Sequence, residues 1–186
     1  KPPKVIELQS PLLRPPRHVA QPGIGLGSTA LVDWADAQPF GELRERRRTG
    51  QRPGRVLLLG SPKEAALCEG IAHEAVGACR VLAGRTSLAE AMALIAAARG
   101  VVSNDSGLMH VAAAFGVPQA ALFGSTSPEH TPPLNPRARV LWLKHELALD
   151  CSPCFDRVCR FGHTRCLTEI APARVQAALA SAASGC

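Results

Sequence analysis

Val101-Val102-Ser103-Asn104-Asp105-Ser106-Gly107-Leu108-Met109-His110-Val111-Ala112-Ala113-Ala114 decides the fold. An apolar run passes through a small polar turn into an alanine-rich run. That profile is a buried strand delivering an aspartate to the mouth of a helix. In open α/β sheets, ligands bind at the carboxyl ends of the strands. A helix start there offers free backbone N–H groups and the positive end of a dipole to an anion.

The same rhythm extends on both sides. Val56–Leu59 is a short apolar run, so a buried strand. Ser61-Pro62-Lys63-Glu64 supplies an N-cap, a proline at the first helical position and an acid at the third, opening a helix to about Val76. Cys79–Leu82 reads as a strand, and Ser87-Leu88-Ala89-Glu90 as a second capping box, with a helix ending near Arg99-Gly100. The helix after Asp105 stops at Phe115-Gly116, with Pro118 beyond. Ala120–Phe123 and Arg139–Leu143 are further strands, and residues 172–183 form a last helix. Strands alternating with helices predict α/β architecture: a Rossmann-like parallel sheet with helices on both faces.

The amino-terminal part is less regular. Residues 1–17 hold five prolines and read as a linker or remnant, with the domain proper over 18–186. Arg17–Ala20 is a candidate short strand, and Trp34–Arg48 a candidate helix with a charged second half. Gly23, Gly25 and Gly27 do not make a G-x-G-x-x-G pattern.

With 186 residues, the chain is long enough for one well-cored domain. No apolar run reaches the length of a membrane span. The net charge of +6 is concentrated in the arginines between 44 and 55. Seven aromatic residues and no tyrosine are poor material for stacking bases, so nucleic acid is not an expected partner. Seven cysteines without an export signal argue against a disulfide scaffold. Four of them, Cys151, Cys154, Cys159 and Cys166, cluster with His163 in a loop over 150–167. Their spacing lacks a second Cys-x2-Cys pair. Reduced thiols without metal are favoured over a zinc site, for which these five residues are the candidates.

Three loops leave successive strands at what is expected to be one sheet edge: Gly60–Glu64, Asn104–Gly107 and Gly124-Ser125-Thr126. Together they offer carboxylates, hydroxyls and free amides. Asp or Ser before a helix is most often a cap. Three such loops side by side favour a ligand with sugar hydroxyls and phosphate.

The 102–114 stretch resembles the signature of the ADP-heptose:lipopolysaccharide heptosyltransferases, glycosyltransferase family 9. Leu58–Glu64, Leu82–Leu88 and Leu122–Pro128 fall in that family's order. Thr131-Pro132-Pro133-Leu134, Cys151-Ser152-Pro153-Cys154 and Gly162-His163-Thr164-Arg165-Cys166 resemble its heptosyltransferase II branch. The resemblance covers about residues 55–180.

It implies the carboxyl-terminal donor domain of a two-domain GT-B enzyme, which binds ADP-L-glycero-β-D-manno-heptose. Heptose is transferred with inversion to the lipid A–core acceptor of lipopolysaccharide, and no cofactor or tightly bound metal is implied. Asp105 matches the aspartate holding heptose hydroxyls, and Ser106 and Gly107 the turn meeting the diphosphate. Glu64 matches the acid facing the ribose. Thr86 and Ser87 lie at the adenine contact, His110 faces the phosphates or packs under the turn, and Gly124, Ser125 and Thr126 close the floor. The catalytic base and the acceptor are implied on an amino-terminal domain missing from this chain. The family's phosphate-binding lysine has no counterpart between Ile24 and Asp33. Transfer by the isolated chain is therefore not expected. The implied location is cytoplasmic, with contact at the inner membrane peripheral at most. A non-catalytic ADP-sugar-binding module and a zinc-stabilised interaction domain are the alternatives.

Overall fold

The computed structural model describes residues 30–34, 55–74 and 79–185. One six-stranded sheet forms the centre: β1 Ala30–Trp34, β2 Arg55–Leu59, β3 Cys79–Val81, β4 Gly100–Asn104, β5 Gln119–Phe123 and β6 Ala138–Trp142. Its spatial order is β3-β2-β1-β4-β5-β6, the arrangement of doubly wound folds with a crevice where the order reverses. Among the described residues, five α-helices accompany it: α1 Ala65–Glu74, α2 Leu88–Ala96, α3 Gly107–Ala114, α4 Arg165–Thr168 and α5 Pro172–Ser184.

Alternation along the strands explains the layers. Leu57, Leu59 and Val101 face one way, against Leu94 and Ile95 of α2 and Leu108 and Ala112 of α3. Leu58 faces the other way, with Cys68 of α1 and Val81. Val102, Ala120 and Leu141 share that second face and pack against Val175 of α5. Both faces are covered, so the strands read as continuous apolar runs rather than alternating ones. Met109 and Phe123 are fully buried together on the α3 side, each contributing about 1.5–3 kcal/mol by the usual area relation.

The helix boundaries follow local chemistry. Ser87 and Glu90 form a reciprocal box: the Glu90 amide donates to Ser87 Oγ at 3.3 Å, and the Ser87 amide to Glu90 Oε2 at 2.8 Å. At the end of α3, Gly116 takes φ +63, and the Val117 amide returns to Ala112 O at 3.1 Å. That is a Schellman ending, which a glycine accommodates without a Cβ penalty.

The α/β class stands, with four local departures from expectation. The sheet is mixed, because β1 runs antiparallel to both β2 and β4, with Ala30 opposite Leu59 and Ser103. The other neighbouring pairs are parallel. Trp34 closes this strand instead of opening a helix. Five residues give no period by which strand and helix start can be told apart. The helix after Ser61 starts as a 3-10 turn over Pro62–Glu64 before α1. The one-turn α4 lies in a stretch read as loop. The candidate strand at 17–20, the glycines at 23–27 and the candidate helix beyond Trp34 lie outside the described residues.

Exposed ion pairs tie the carboxyl-terminal helices down. Arg174 of α5 holds the Glu146 carboxylate with both terminal guanidinium nitrogens, and Arg165 at the start of α4 holds Glu169 just past its end. These hydrogen bonds keep both carboxyls below the ordinary carboxylate value of 4.5. The Ser87 amide, and then its hydroxyl, do the same for Glu90. A carboxyl whose pKa is lower in the folded chain stabilises it above the unfolded value, and loses that contribution as pH falls through the folded one. The urea midpoint is therefore expected to fall on acidification below pH 4.5, and the doubly substituted Glu146→Gln, Glu169→Gln chain to show a shallower fall. Identical slopes in the two proteins would contradict this assignment.

Candidate functional site

β2, β3, β4 and β5 point the same way, so their exit loops share one edge. β1 separates β2 from β4. The Gly60–Glu64 and Asn104–Gly107 loops therefore stand two strand spacings apart, roughly 10 Å. Because β1 is reversed, its amino end, Ala30, is what reaches this edge.

The loops after β2 and β3 are built together. The Leu82 amide donates to Leu58 O, and the Gly84 amide to Gly60 O, both at 2.9 Å. Glu64 is buried, and its Oε2 accepts from the Ser61 amide at 2.6 Å. Its Oε1 has no hydrogen-bond partner among the described residues. Thr86 is half-buried beside Ser87. Ser87 is exposed and occupied as the cap of α2.

The loop after β4 is different. Ser106 stands at the N-cap position of α3 in an extended conformation, yet its side chain does not cap the helix. Its hydroxyl is buried without a partner among the described residues. Amides at a helix start have no intrahelical acceptor, and a Cβ built on Gly107 would meet nothing within 4 Å. Space is thus open at the positive end of the helix. The Asp105 amide is anchored to Leu122 O at 3.2 Å. Its carboxylate does not cap either, because Oδ2 accepts from Thr131 Oγ1 at 2.9 Å. His110 is exposed on the first turn of α3, so the alternative of a packed histidine is overturned.

Gly124, Ser125 and Thr126 follow β5. Gly124 is buried, and a Cβ there would stand 2.5 Å from Leu167 Cγ of α4. Its carbonyl accepts from Ser152 Oγ at 2.8 Å, and the Ser125 carbonyl from the Phe155 amide at 2.7 Å. The cysteine-bearing loop therefore holds this floor in place.

In that loop the Cys159 thiol is pulled below its ordinary value, first by the Thr164 amide and then by those of Phe161, His163 and Gly162. Burial pushes the Cys166 thiol up, and the neighbouring Cys154, Cys159 and Cys151 add to the rise.

The structure thus brings Asp105, Ser106, Gly107 and His110 to one corner, with Glu64, Thr86 and Ser87 along the edge. Thr131 was missed. Its place in a Thr-Pro-Pro run was the available cue, but its reach to Asp105 is tertiary. A doubly wound sheet with an open helix start beside a carboxylate, at the carboxyl edge, is the arrangement at which α/β domains take anionic ligands.

Residues 34–165 match the family described as glycosyltransferase family 9 (heptosyltransferase), and the chain belongs to that family. Lipopolysaccharide heptosyltransferase 2 of Escherichia coli is 48% identical over 92 residues, a match covering 47% of this chain and 26% of that protein. Lipooligosaccharide heptosyltransferase 2 of Haemophilus ducreyi is 46% identical over 94 residues, covering 47% and 27%. The chain spans about a quarter of the length of these relatives. The solved structure of E. coli ADP-heptose lipopolysaccharide heptosyltransferase II superposes with a TM-score of 0.57 at 38% identity, covering 70% of this chain and 37% of that one. The family 9 glycosyltransferase of Veillonella parvula, at 23% identity and a TM-score of 0.58, shares the fold over 70% of this chain and 36% of its own.

Proposed function

We propose that this chain is the donor-binding part of a lipopolysaccharide heptosyltransferase and takes ADP-L-glycero-β-D-manno-heptose. The carrying observation is the start of α3: an open space at Gly107 beside an uncapping Ser106 hydroxyl and the Asp105 carboxylate. The diphosphate lies against the α3 amides. Asp105 accepts from heptose hydroxyls, and Glu64 accepts from the ribose through its free Oε1. Thr86 and Ser87 border the adenine, and the 124–126 loop forms the floor.

In the transfer, an acceptor hydroxyl oxygen attacks the anomeric carbon as the bond to the β-phosphate oxygen breaks. The acceptor proton passes to a base, and the electron pair leaves on ADP. The helix start stabilises that growing negative charge. Acceptor and base belong to a further domain, which this chain joins to form the active enzyme at the cytoplasmic face of the inner membrane. No described helix is long and apolar enough to cross a membrane, which fits peripheral contact.

Calorimetric titration of the purified chain tests the reading. Both ADP and ADP-heptose are expected to bind, the sugar nucleotide more tightly, with no heptose transfer to lipid A–core by the chain alone. Absence of binding by either ligand at millimolar concentration would overturn it.

A further inference from the structure

The side chains at the tip of the cysteine-bearing loop, Phe155-Asp156-Arg157-Val158-Cys159-Arg160-Phe161, take no part in the donor chemistry. Phe155, Val158 and Phe161 leave 58%, 51% and 61% of their surface exposed. Three large apolar side chains turned to solvent within seven residues call for a partner, whereas a single one would not. Arg157 and Arg160 stand between them and are exposed as well. Among the described residues neither has an ion-pair partner, while Arg165, further on, is held by Glu169. Asp156 is the acid of the stretch, so the tip carries net positive charge.

Local contacts give the tip its shape. The Gly162 amide donates to Cys159 O at 3.0 Å, and Gly162 takes φ +70, which closes a tight turn. The Arg160 guanidinium lies over the Phe161 ring, 5.4 Å from its centre. The His163 ring stacks on Phe161 within 3° of parallel, the centroids 5.8 Å apart. Phe161 is thus flanked by a cation and an imidazole and still stays more than half exposed. At the other end of the tip the Phe155 ring meets that of His130, itself exposed, at 5.7 Å. The base of the loop is fixed: Ser152 Oγ donates to Gly124 O at 2.8 Å, and the Phe155 amide to Ser125 O at 2.7 Å. The exposed side chains are therefore carried on an anchored loop, bonded to the floor of the donor site.

We propose that this loop tip seats the protein on an anionic phospholipid surface. Val158 and Phe161 enter the boundary between headgroups and acyl chains, and Arg157 and Arg160 meet the lipid phosphates. The inference deepens the heptosyltransferase reading, on which it rests for a lipid-borne acceptor. The size of the tip separates this partner from a protein. A stable protein interface takes about 800 Å² and roughly 20–30 residues from each side, far more than seven residues offer. A bilayer demands no complementary shape, and apolar area together with positive charge suffices. Arginine stems lie along apolar surface while their heads stay in the polar layer. Basic residues close to an anionic leaflet add to the binding, and the net charge of +6 has the sign that such a surface attracts. Contact here holds the 124–126 floor, and with it the donor, within a loop's length of the layer in which a lipid-borne acceptor lies.

The test uses the full chain with vesicles of two compositions: equimolar phosphatidylglycerol and phosphatidylcholine, and phosphatidylcholine alone. In flotation the chain is expected to rise with the anionic vesicles and to stay behind with the neutral ones. Val158→Ser with Phe161→Ser is expected to weaken the partition at least about tenfold, through lost apolar area. Arg157→Gln with Arg160→Gln is expected to weaken it about 25-fold at low salt, about fivefold for each charge, and to flatten its salt dependence. All four side chains are exposed, so both variants should keep the circular dichroism and urea midpoint of the original. A folded chain that does not float with anionic vesicles would overturn the proposal. So would undiminished flotation of both variants, which would move the contact to the arginines between 44 and 55. Loss in the arginine variant alone would leave charge attraction without insertion and would equally overturn it. ADP-heptose affinity of the same variants is expected to be unchanged. Absence of donor binding in the unsubstituted chain would strike the heptosyltransferase reading and leave the vesicle result as measured.

Discussion

Replacing Gly84 by alanine is expected to destabilise the chain by about 3 kcal/mol, from two costs that add. Gly84 has φ +71, a left-handed conformation that costs a residue with a Cβ roughly 1–2 kcal/mol. The added Cβ would also stand 2.8 Å from Pro62 Cα and 3.3 Å from Pro62 Cβ. Pro62 Cα is backbone and cannot swing aside, and overpacking of this kind costs about 1–3 kcal/mol. The expected readout is a lower urea midpoint with an unchanged slope. The strain falls between the loops after β2 and β3, joined by the bond from the Gly84 amide to Gly60 O. Nucleotide affinity should therefore weaken even where the variant remains folded. A midpoint within about 0.5 kcal/mol of the original, the range of an ordinary surface substitution, would mean that the two loops do not meet as described.

The second large effect concerns Asp105. Asp105→Ala is expected to weaken ADP-heptose about 10–100-fold, the loss of a hydrogen bond to a charged acceptor. Binding of ADP alone should be unchanged or slightly tighter, because the carboxylate carries the same sign as the diphosphate. This opposite response separates a sugar-holding carboxylate from one that merely shapes the loop. Thr131→Val removes the hydroxyl that donates to Asp105 Oδ2 and should act in the same direction with a smaller loss. Stability should change little, since Thr131 is exposed and Asp105 only half-buried. Equal weakening of both ligands by Asp105→Ala would remove Asp105 from the sugar contact.

Much of this was legible in the sequence because short-range chemistry decided it. Val56–Leu59, Val101–Ser103 and Ala120–Phe123 are apolar runs buried on both faces, and such runs have few other uses in a chain of alternating elements. Ser87-x-x-Glu90 forms the helix start that its residues predict. Ala30–Trp34 was not legible: direction within a sheet is set by which neighbours remain unpaired, and β1 satisfies β2 and β4 at once. α4 was missed because a four-residue helix has no period. In the site, Asp105-Ser106-Gly107 was found because strand, turn and helix start are contiguous. Sequence could not separate Ser87, committed to capping, from Ser106, which caps nothing. Nor could it show that the 124–126 loop is braced by residues 152 and 155, which arrive from far along the chain.

The reversed central strand has a consequence for how the molecule is kept from associating with itself. Within the sheet, β3-β2 and β4-β5-β6 are connected by backbone hydrogen bonds only through β1. Five residues thus keep two long rows of N–H and C=O groups satisfied simultaneously. Loss of those five from the sheet would bare two facing strand edges in one event, each able to template pairing with another chain. β1 meets β4 across the 65 residues from 35 to 99, and closing so long a loop comes at an entropic cost that local pairings avoid. Protection against edge-to-edge aggregation in this protein accordingly rests on the strand that makes the pairing of longest sequence separation in the sheet.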